Sequence, residues 1–238
     1  MDKPLTPAAL VLGAFLAGGL GFIGHSITEA ATNLKALDRT VSVKGLAEQE
    51  VMANVAIWPV RFAEVDNDLA SLYNTVQQKT DKVVAFLKAQ GFSDDEITLT
   101  TPAIEDRSTQ GYSDPNLKYR YAARVTVSLY THQVDKLLQA RKHIGVLARD
   151  GIAIGGNEYE SRSEFLFTEL NRIKPAMVQQ ATENAREVAE KFARDSSSSL
   201  GKIKTASQGQ FIITDRDSNS PHIKNVRIVS TVTYYLTD

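Results

Sequence analysis

Val41-Ser-Val-Lys-Gly-Leu-Ala-Glu-Gln-Glu-Val-Met-Ala-Asn-Val-Ala-Ile-Trp58 carries the pattern on which the fold class turns. Val41 and Val43 alternate with polar partners up to Gly45, and Val51, Ala53, Val55 and Ile57 alternate again. Alternation of period two marks strands with one buried face, so the stretch predicts two strands joined by a tight reversal near Gly45–Gln49. At Trp58-Pro59 the parity changes, because Val60 and Phe62 occupy the opposite positions. A proline inside a strand belongs at an edge or a bulge, and a bulge shifts the alternation by one. Trp58 and Pro59 are therefore a candidate strand bulge.

Downstream, Leu69, Leu72, Tyr73, Val76, Thr80, Val83 and Leu87 trace one helical face. Asp66 or Asn67 can cap its start, and Gly91 suits the position just past its end. Strands are expected over 96–106 and 118–131. In the second of these, Tyr119, Tyr121, Ala123, Val125, Val127 and Leu129 face one way, and Arg120, Arg124, Thr126 and Ser128 the other. That two-sidedness suits an antiparallel sheet with one covered face and one wet face. The connection from Arg107 to Leu117 is turn-rich and long for a hairpin. The second half predicts a helix over 133–149 ending at Gly151 and a strand over 152–168. A long helix then carries Leu170, Ile173, Met177, Ala181, Ala185, Val188 and Phe192 to about residue 200, with Pro175 in its first turns or at a kink. Strands near 203–214 and 225–237 flank a polar loop. The element order ββαββαβαββ predicts an α+β body of mainly antiparallel sheets with helices packed on one face.

Upstream, Pro4 to Thr28 is a run of 25 residues without Asp, Glu, Lys or Arg. As a helix it would extend roughly 37 Å, enough to cross a hydrocarbon core of about 30 Å. The domain reading is thus a signal anchor or transmembrane helix over 1–28, a polar juxtamembrane connector over 29–39, and a body over 40–238 with subdomains 40–131 and 132–238. Thr28-Glu29-Ala30 before Ala31 is a mediocre cleavage site, and the run exceeds a normal signal core, so an uncleaved anchor is expected. The N-terminal flank is slightly positive while Glu29, Lys35, Asp38 and Arg39 sum to zero, which favours a cytoplasmic N-terminus and an exported body. Ala9, Gly13, Ala17 and Gly21 recur every four residues and form a candidate helix-association stripe; small residues are also simply common in membrane helices.

The 27 basic and 28 acidic residues give a net charge of −1, which argues against a broad nucleic-acid surface. Apolar residues make up 42% of the chain and charged residues 23%, a globular composition. With no cysteine, the chain has no disulfide, thiolate nucleophile or Cys-ligated zinc.

The Val41–Trp58 segment resembles the opening of the SIMPL domain family (DUF541), whose members begin with a V-x-V-x-G strand, a turn and an acidic-to-apolar strand. The Tyr119–Thr131 strand and the alanine-spaced helix ending in Leu200-Gly201 are also similar to that family. Many relatives carry Pro-Asp where this chain has Ala53-Asn54. The resemblance implies a bacterial envelope protein, related β-rich and helical halves, self-assembly in some relatives, and a link to oxidative stress.

Residues with chemistry are scattered. His25, His132, His143 and His222 form no H-x3-H pair, and read as surface or cap histidines. Gly151-Ile-Ala-Ile-Gly-Gly156 lacks both a dinucleotide fingerprint and a P-loop lysine, and reads as a turn. Ser197 has no flanking elbow glycines. Asp94-Asp95-Glu96 reads as a solvated turn. Glu158, Glu160 and Glu164 read as a wet strand face, with which Arg120 and Arg124 are geometrically able to pair. No nucleophile, base and oxyanion site assembles from these residues. The expectation is a non-enzymatic protein without metal or cofactor, single-pass in the bacterial inner membrane with its body in the periplasm. Its expected partners are membrane lipid, through residues 4–28, and copies of itself, in a large homo-oligomeric ring or cage; no nucleic-acid partner is expected. The alternative is a periplasmic module binding a ligand or peptide, and an enzyme ranks third.

Overall fold

The structure, a computed structural model, describes residues 6–37, 39–109, 118–155 and 162–237. In chain order its elements are α1 (Thr6–Leu37), β1 (Thr40–Met52), β2 (Val55–Asp66), α2 (Leu69–Ala89), β3 (Ile97–Leu99), β4 (Ala103–Asp106) and β5 (Tyr121–Thr131). There follow α3 (Val134–Lys142), α4 (Gly145–Arg149), β6 (Glu164–Leu166), α5 (Leu170–Asp195), β7 (Ser199–Gln208), β8 (Ile212–Asp215) and β9 (Ile223–Thr237). The α+β class with antiparallel sheets is as expected. The order differs because two expected strands are interrupted, one between Leu99 and Ala103 at Pro102, the other between Gln208 and Ile212 at Gly209. The helix expected over 133–149 is likewise split into α3 and α4.

The chain divides into two compact units, and neither is a continuous half of it. Unit 1 comprises Met1–Glu48, Lys174–Phe211 and Arg227–Asp238, and unit 2 comprises Gln49–Ile173 and Ile212–Val226. The expected parting at 131/132 is thereby corrected. The first and last long strands are neighbours in one sheet, which draws the two ends of the chain into the same unit.

In unit 2, β5 is flanked by β2 on one side and by β3 and β4 on the other, with β6 beyond β2. Ala123, Val125, Val127 and Leu129 of β5 and Ala56, Trp58, Val60 and Phe62 of β2 face one core, against Leu72, Val76, Val83 and Leu87 of α2. The N-cap of α2 is Asp68, whose carboxylate accepts the Ser71 N–H at 2.7 Å. Asp66 instead gathers the Asn67 and Asp68 N–H groups and the Ser71 hydroxyl. Gly91 ends the helix at φ +90, a conformation that favours glycine.

The bulge expected at Trp58-Pro59 is corrected. β2 pairs with β5 in one unbroken register from Ala56↔Thr131 to Asp66↔Tyr121, with Pro59 opposite Ser128. The strands also divide elsewhere: β1 runs through Gly45–Gln49 to Met52, the break falls at Ala53-Asn54, and the two strands join different sheets instead of forming a hairpin. Buried positions are odd in β1 (Val43, Gly45, Ala47) and still odd at Ala53 and Val55, then even from Ala56 to Phe62, so the parity changes at Val55-Ala56, where β2 begins, rather than at Trp58-Pro59. Pro59 lies past the end of the β6 pairing, which covers only Val55–Ile57, so its missing N–H leaves no gap in that ladder.

In unit 1, β9 lies between β1 and β7. Ser42 meets Thr233 and Glu48 meets Arg227, so β1 and β9 run antiparallel. Met177, Ala181, Ala185, Ala189 and Ala193 form the buried stripe of α5, while the expected core residues Val188 and Phe192 are exposed. The reason is the closeness of β1. A Cβ on Gly45 would collide with the Ala181 carbonyl and stand 2.9 Å from the Ala185 Cβ. Only small side chains fit a helix so near a sheet. The helix stops at Asp195 rather than near 200, because Ser197 takes a left-handed conformation (φ 51) and the Ser198 N–H returns to the Ala193 carbonyl.

Candidate functional site

The apolar N-terminal run is helical, and the helix continues to Leu37, through most of the expected connector. Its Val11–Glu29 segment is exposed throughout and is long and apolar enough to cross a membrane. Nineteen residues extend about 28 Å, close to the hydrocarbon thickness. Gly13, Ala17 and Gly21 occur at successive four-residue steps on it, and Ala9 continues the series toward the N-terminus, its side chain outside the described residues. The side chain of Thr28 turns back to the Gly24 carbonyl at 2.8 Å, which satisfies a hydroxyl inside an apolar helix.

In unit 2 several titratable side chains fasten one element to another. Arg120 of the β5 approach grips Asp106 with a fork, Nε to Oδ1 at 3.2 Å and Nη2 to Oδ2 at 2.7 Å. The Ser108 N–H and hydroxyl add two further donors to Asp106. Hydrogen bonds from Arg120 and then Ser108 hold the Asp106 carboxyl far below its ordinary range, and Asp106 in turn raises Arg120. Arg124 lies 3.7 Å from Glu105. The two arginines thus meet carboxylates of β4. Glu158 and Glu160, the partners weighed from the sequence, lie outside the described residues, and Glu164 sits in β6 opposite Ile57.

Glu64 and Lys79 pair between β2 and α2, and the same ammonium donates to the Gly151 carbonyl at 2.8 Å. Burial pushes the Glu96 carboxyl up, but donors from Thr131, Ser93 and Gln133 outweigh it and leave its pKa lowered. Asp94 pairs with Lys88 at 2.6 Å. In the C-terminal loop, hydrogen bonding from Arg216 holds Asp217 low, and Lys224 pairs with Asp215. A carboxylate held ionised by an arginine, as Asp106 and Asp217 are, is a poor proton shuttle near neutral pH.

The four histidines have separate surroundings. His25 lies one turn from Glu29, His132 stands edge-on to Tyr130, His143 meets Gln90 at 3.4 Å, and His222 meets the Phe165 ring. Among the described residues, no three His, Asp or Glu side chains converge as a metal site. Gly151 ends α4 at φ +77, and Ile154 bridges to Phe62; Gly156 lies outside the described residues. One feature escaped the sequence reading. Leu69 and Tyr73, expected in the core, are exposed and line a groove of about 580 Å³ with Asn74 and Ile104.

A two-unit α+β body behind one helix of membrane-crossing length defines the class. Within it the family is specific: the SIMPL profile, described as "Protein of unknown function (DUF541)", matches residues 41–228, and the chain belongs to this family. No curated protein matches the chain.

Proposed function

We propose that this protein is a non-enzymatic, membrane-tethered component of the bacterial envelope, single-pass in the inner membrane, with its body in the periplasm. The observation that carries this reading is α1, whose apolar segment is exposed along its whole length although it is built for an apolar solvent. The body works by assembling into a homo-oligomeric ring or cage with a part in the stress response of the envelope. Support for assembly comes from unit 1, whose sheet ends on β1 and β7. β7 carries Lys202, Lys204 and two register irregularities, the usual guards of an edge, so β1 is the edge through which copies join. Native mass measurement of the full chain in mild detergent tests this. The expected mass is a high multiple of 26.1 kDa, and a mass of 26.1 kDa would overturn it.

A second reading, a module that binds an apolar ligand, is favoured by the Leu69–Tyr73–Ile104 groove. Retention of assembly with Tyr73→Ser, but loss of bound lipid-like material in the native mass spectrum, would promote it.

A further inference from the structure

Where α1 gives way to β1 in unit 1, three elements converge. β1 opens at Thr40, three residues after α1 closes at Leu37. Beside it the Leu236 N–H donates to the Arg39 carbonyl at 2.8 Å, and Ser199 and Leu200 pair with Thr237 and Leu236. Arg39 also donates to the Ser198 hydroxyl at 2.8 Å, so the start of β7 and the end of α5 lie at this end. Exposed here are Lys191, Arg194, Lys202 and Lys204, with the apolar Phe192 at 56% and Ile203 at 46% exposure. Lys204 stands 5.4 Å from the centre of the Tyr235 ring. From Ser196 to Thr214 the chain has no acidic residue. The nearby described carboxylates are Glu187, Glu190 and Asp195, the first two one helical turn before Lys191 and Arg194, while Asp38 and Asp238 lie outside the described residues.

Cations interleaved with exposed apolar and aromatic side chains are the composition of a membrane-interface surface. The tether limits the distance. Leu37 is eight residues beyond Glu29, a helical length of at most about 12 Å. The headgroup layer occupies about 5–7 Å of that. The remainder is within the Debye length of about 8 Å at physiological salt, so the lipid charge is felt.

We propose that this end of unit 1 rests on the anionic lipid surface of the membrane that α1 crosses. Lys191, Arg194, Lys202 and Lys204 meet phosphate headgroups, and Phe192 and Ile203 enter the interfacial layer. The proposal rests on the reading of α1 as a membrane span. Lysines on an edge strand also guard it against pairing, a role indifferent to lipid charge.

Hydrogen exchange of the full chain, reconstituted in phosphatidylcholine bilayers with and without phosphatidylglycerol, separates the two. The β7 amides should exchange at least about fivefold more slowly in the anionic bilayer, the factor expected for one lysine at such a surface. High salt and the Lys202→Gln/Lys204→Gln variant should each abolish the difference. Equal exchange in the two bilayers, or a difference that survives the double variant, overturns the proposal. An alkaline carbonate wash of the same preparation tests α1 separately, because release of the protein overturns the span itself.

Discussion

Unit 1 brings a helix onto a sheet through Gly45 and the alanines at 181, 185, 189 and 193, whereas unit 2 does so through Trp58, Phe62, Leu72 and Leu87. The first core is made by backbone proximity and the second by side-chain volume. A core of large residues fails when atoms are removed, because the void is only partly closed. The contact of Gly45 with the alanines of α5 has little to lose that way and fails when atoms are added, although unit 1 also buries Val232 and Tyr234. The α5–β1 contact of unit 1 and the α2-covered core of unit 2 therefore have opposite sensitivities.

The largest effect is expected in unit 2. Phe62, only 2% exposed, faces the core from the middle of β2, and Phe62→Ala should cost about 3–5 kcal/mol, read as a lowered denaturation midpoint. A cost below about 1 kcal/mol would mean that this core collapses around the gap, and the contrast would fail. Gly45→Val should cost about 3 kcal/mol, the upper end for overpacking, because the obstacle is the Ala181 backbone rather than a movable side chain. Its loss of hydrogen-exchange protection should centre on α5. A neutral result would show that α5 can ride away from β1 freely.

Polar clasps follow. Glu64→Ala leaves the Lys79 ammonium with the Gly151 carbonyl but no carboxylate, and a cost of about 1–2 kcal/mol is expected, in the lower part of the range for a buried group that loses a partner, since Lys79 keeps that carbonyl and is 19% exposed. Glu64→Leu with Lys79→Met should recover most of it, because the pair then leaves no stranded charge. The smallest effect concerns Glu96. Its folded pKa lies below the ordinary 4.5, so its contribution is fully present above that pH and is lost as pH falls through the folded value. Glu96→Gln should flatten the acid limb of the stability profile by lowering stability at neutral pH, while stability below the folded pKa of Glu96 changes little. An unchanged acid limb would show that Thr131 and Ser93 do not favour the charged form.

The alternation of Val125, Val127 and Leu129 is legible without coordinates because a strand with one covered face repeats every two residues whatever it packs against. The stop of α2 at Gly91 is legible for the same local reason, since its positive φ is a property of one residue. Val188 and Phe192 mislead because an alanine adds little to an apolar pattern, yet alanines are what α5 buries. Asp106 was invisible as the partner of Arg120, because ion pairs across a sheet depend on register, and register follows from which strands meet.

By itself, then, the sequence determined the apolar N-terminal helix, the α+β class and the family, all of which rest on local composition, short-period patterning or motif. Tertiary structure alone decided that the two chain ends share one unit, that the parity changes at Val55-Ala56 rather than at Trp58-Pro59, and that Gly45 is a contact rather than a turn. Those outcomes depend on residues far apart in the chain: Gly45 on Ala181 and Ala185, β1 on β9. Non-local packing selects among local patterns that are each permissible alone, and no window along the chain contains both partners.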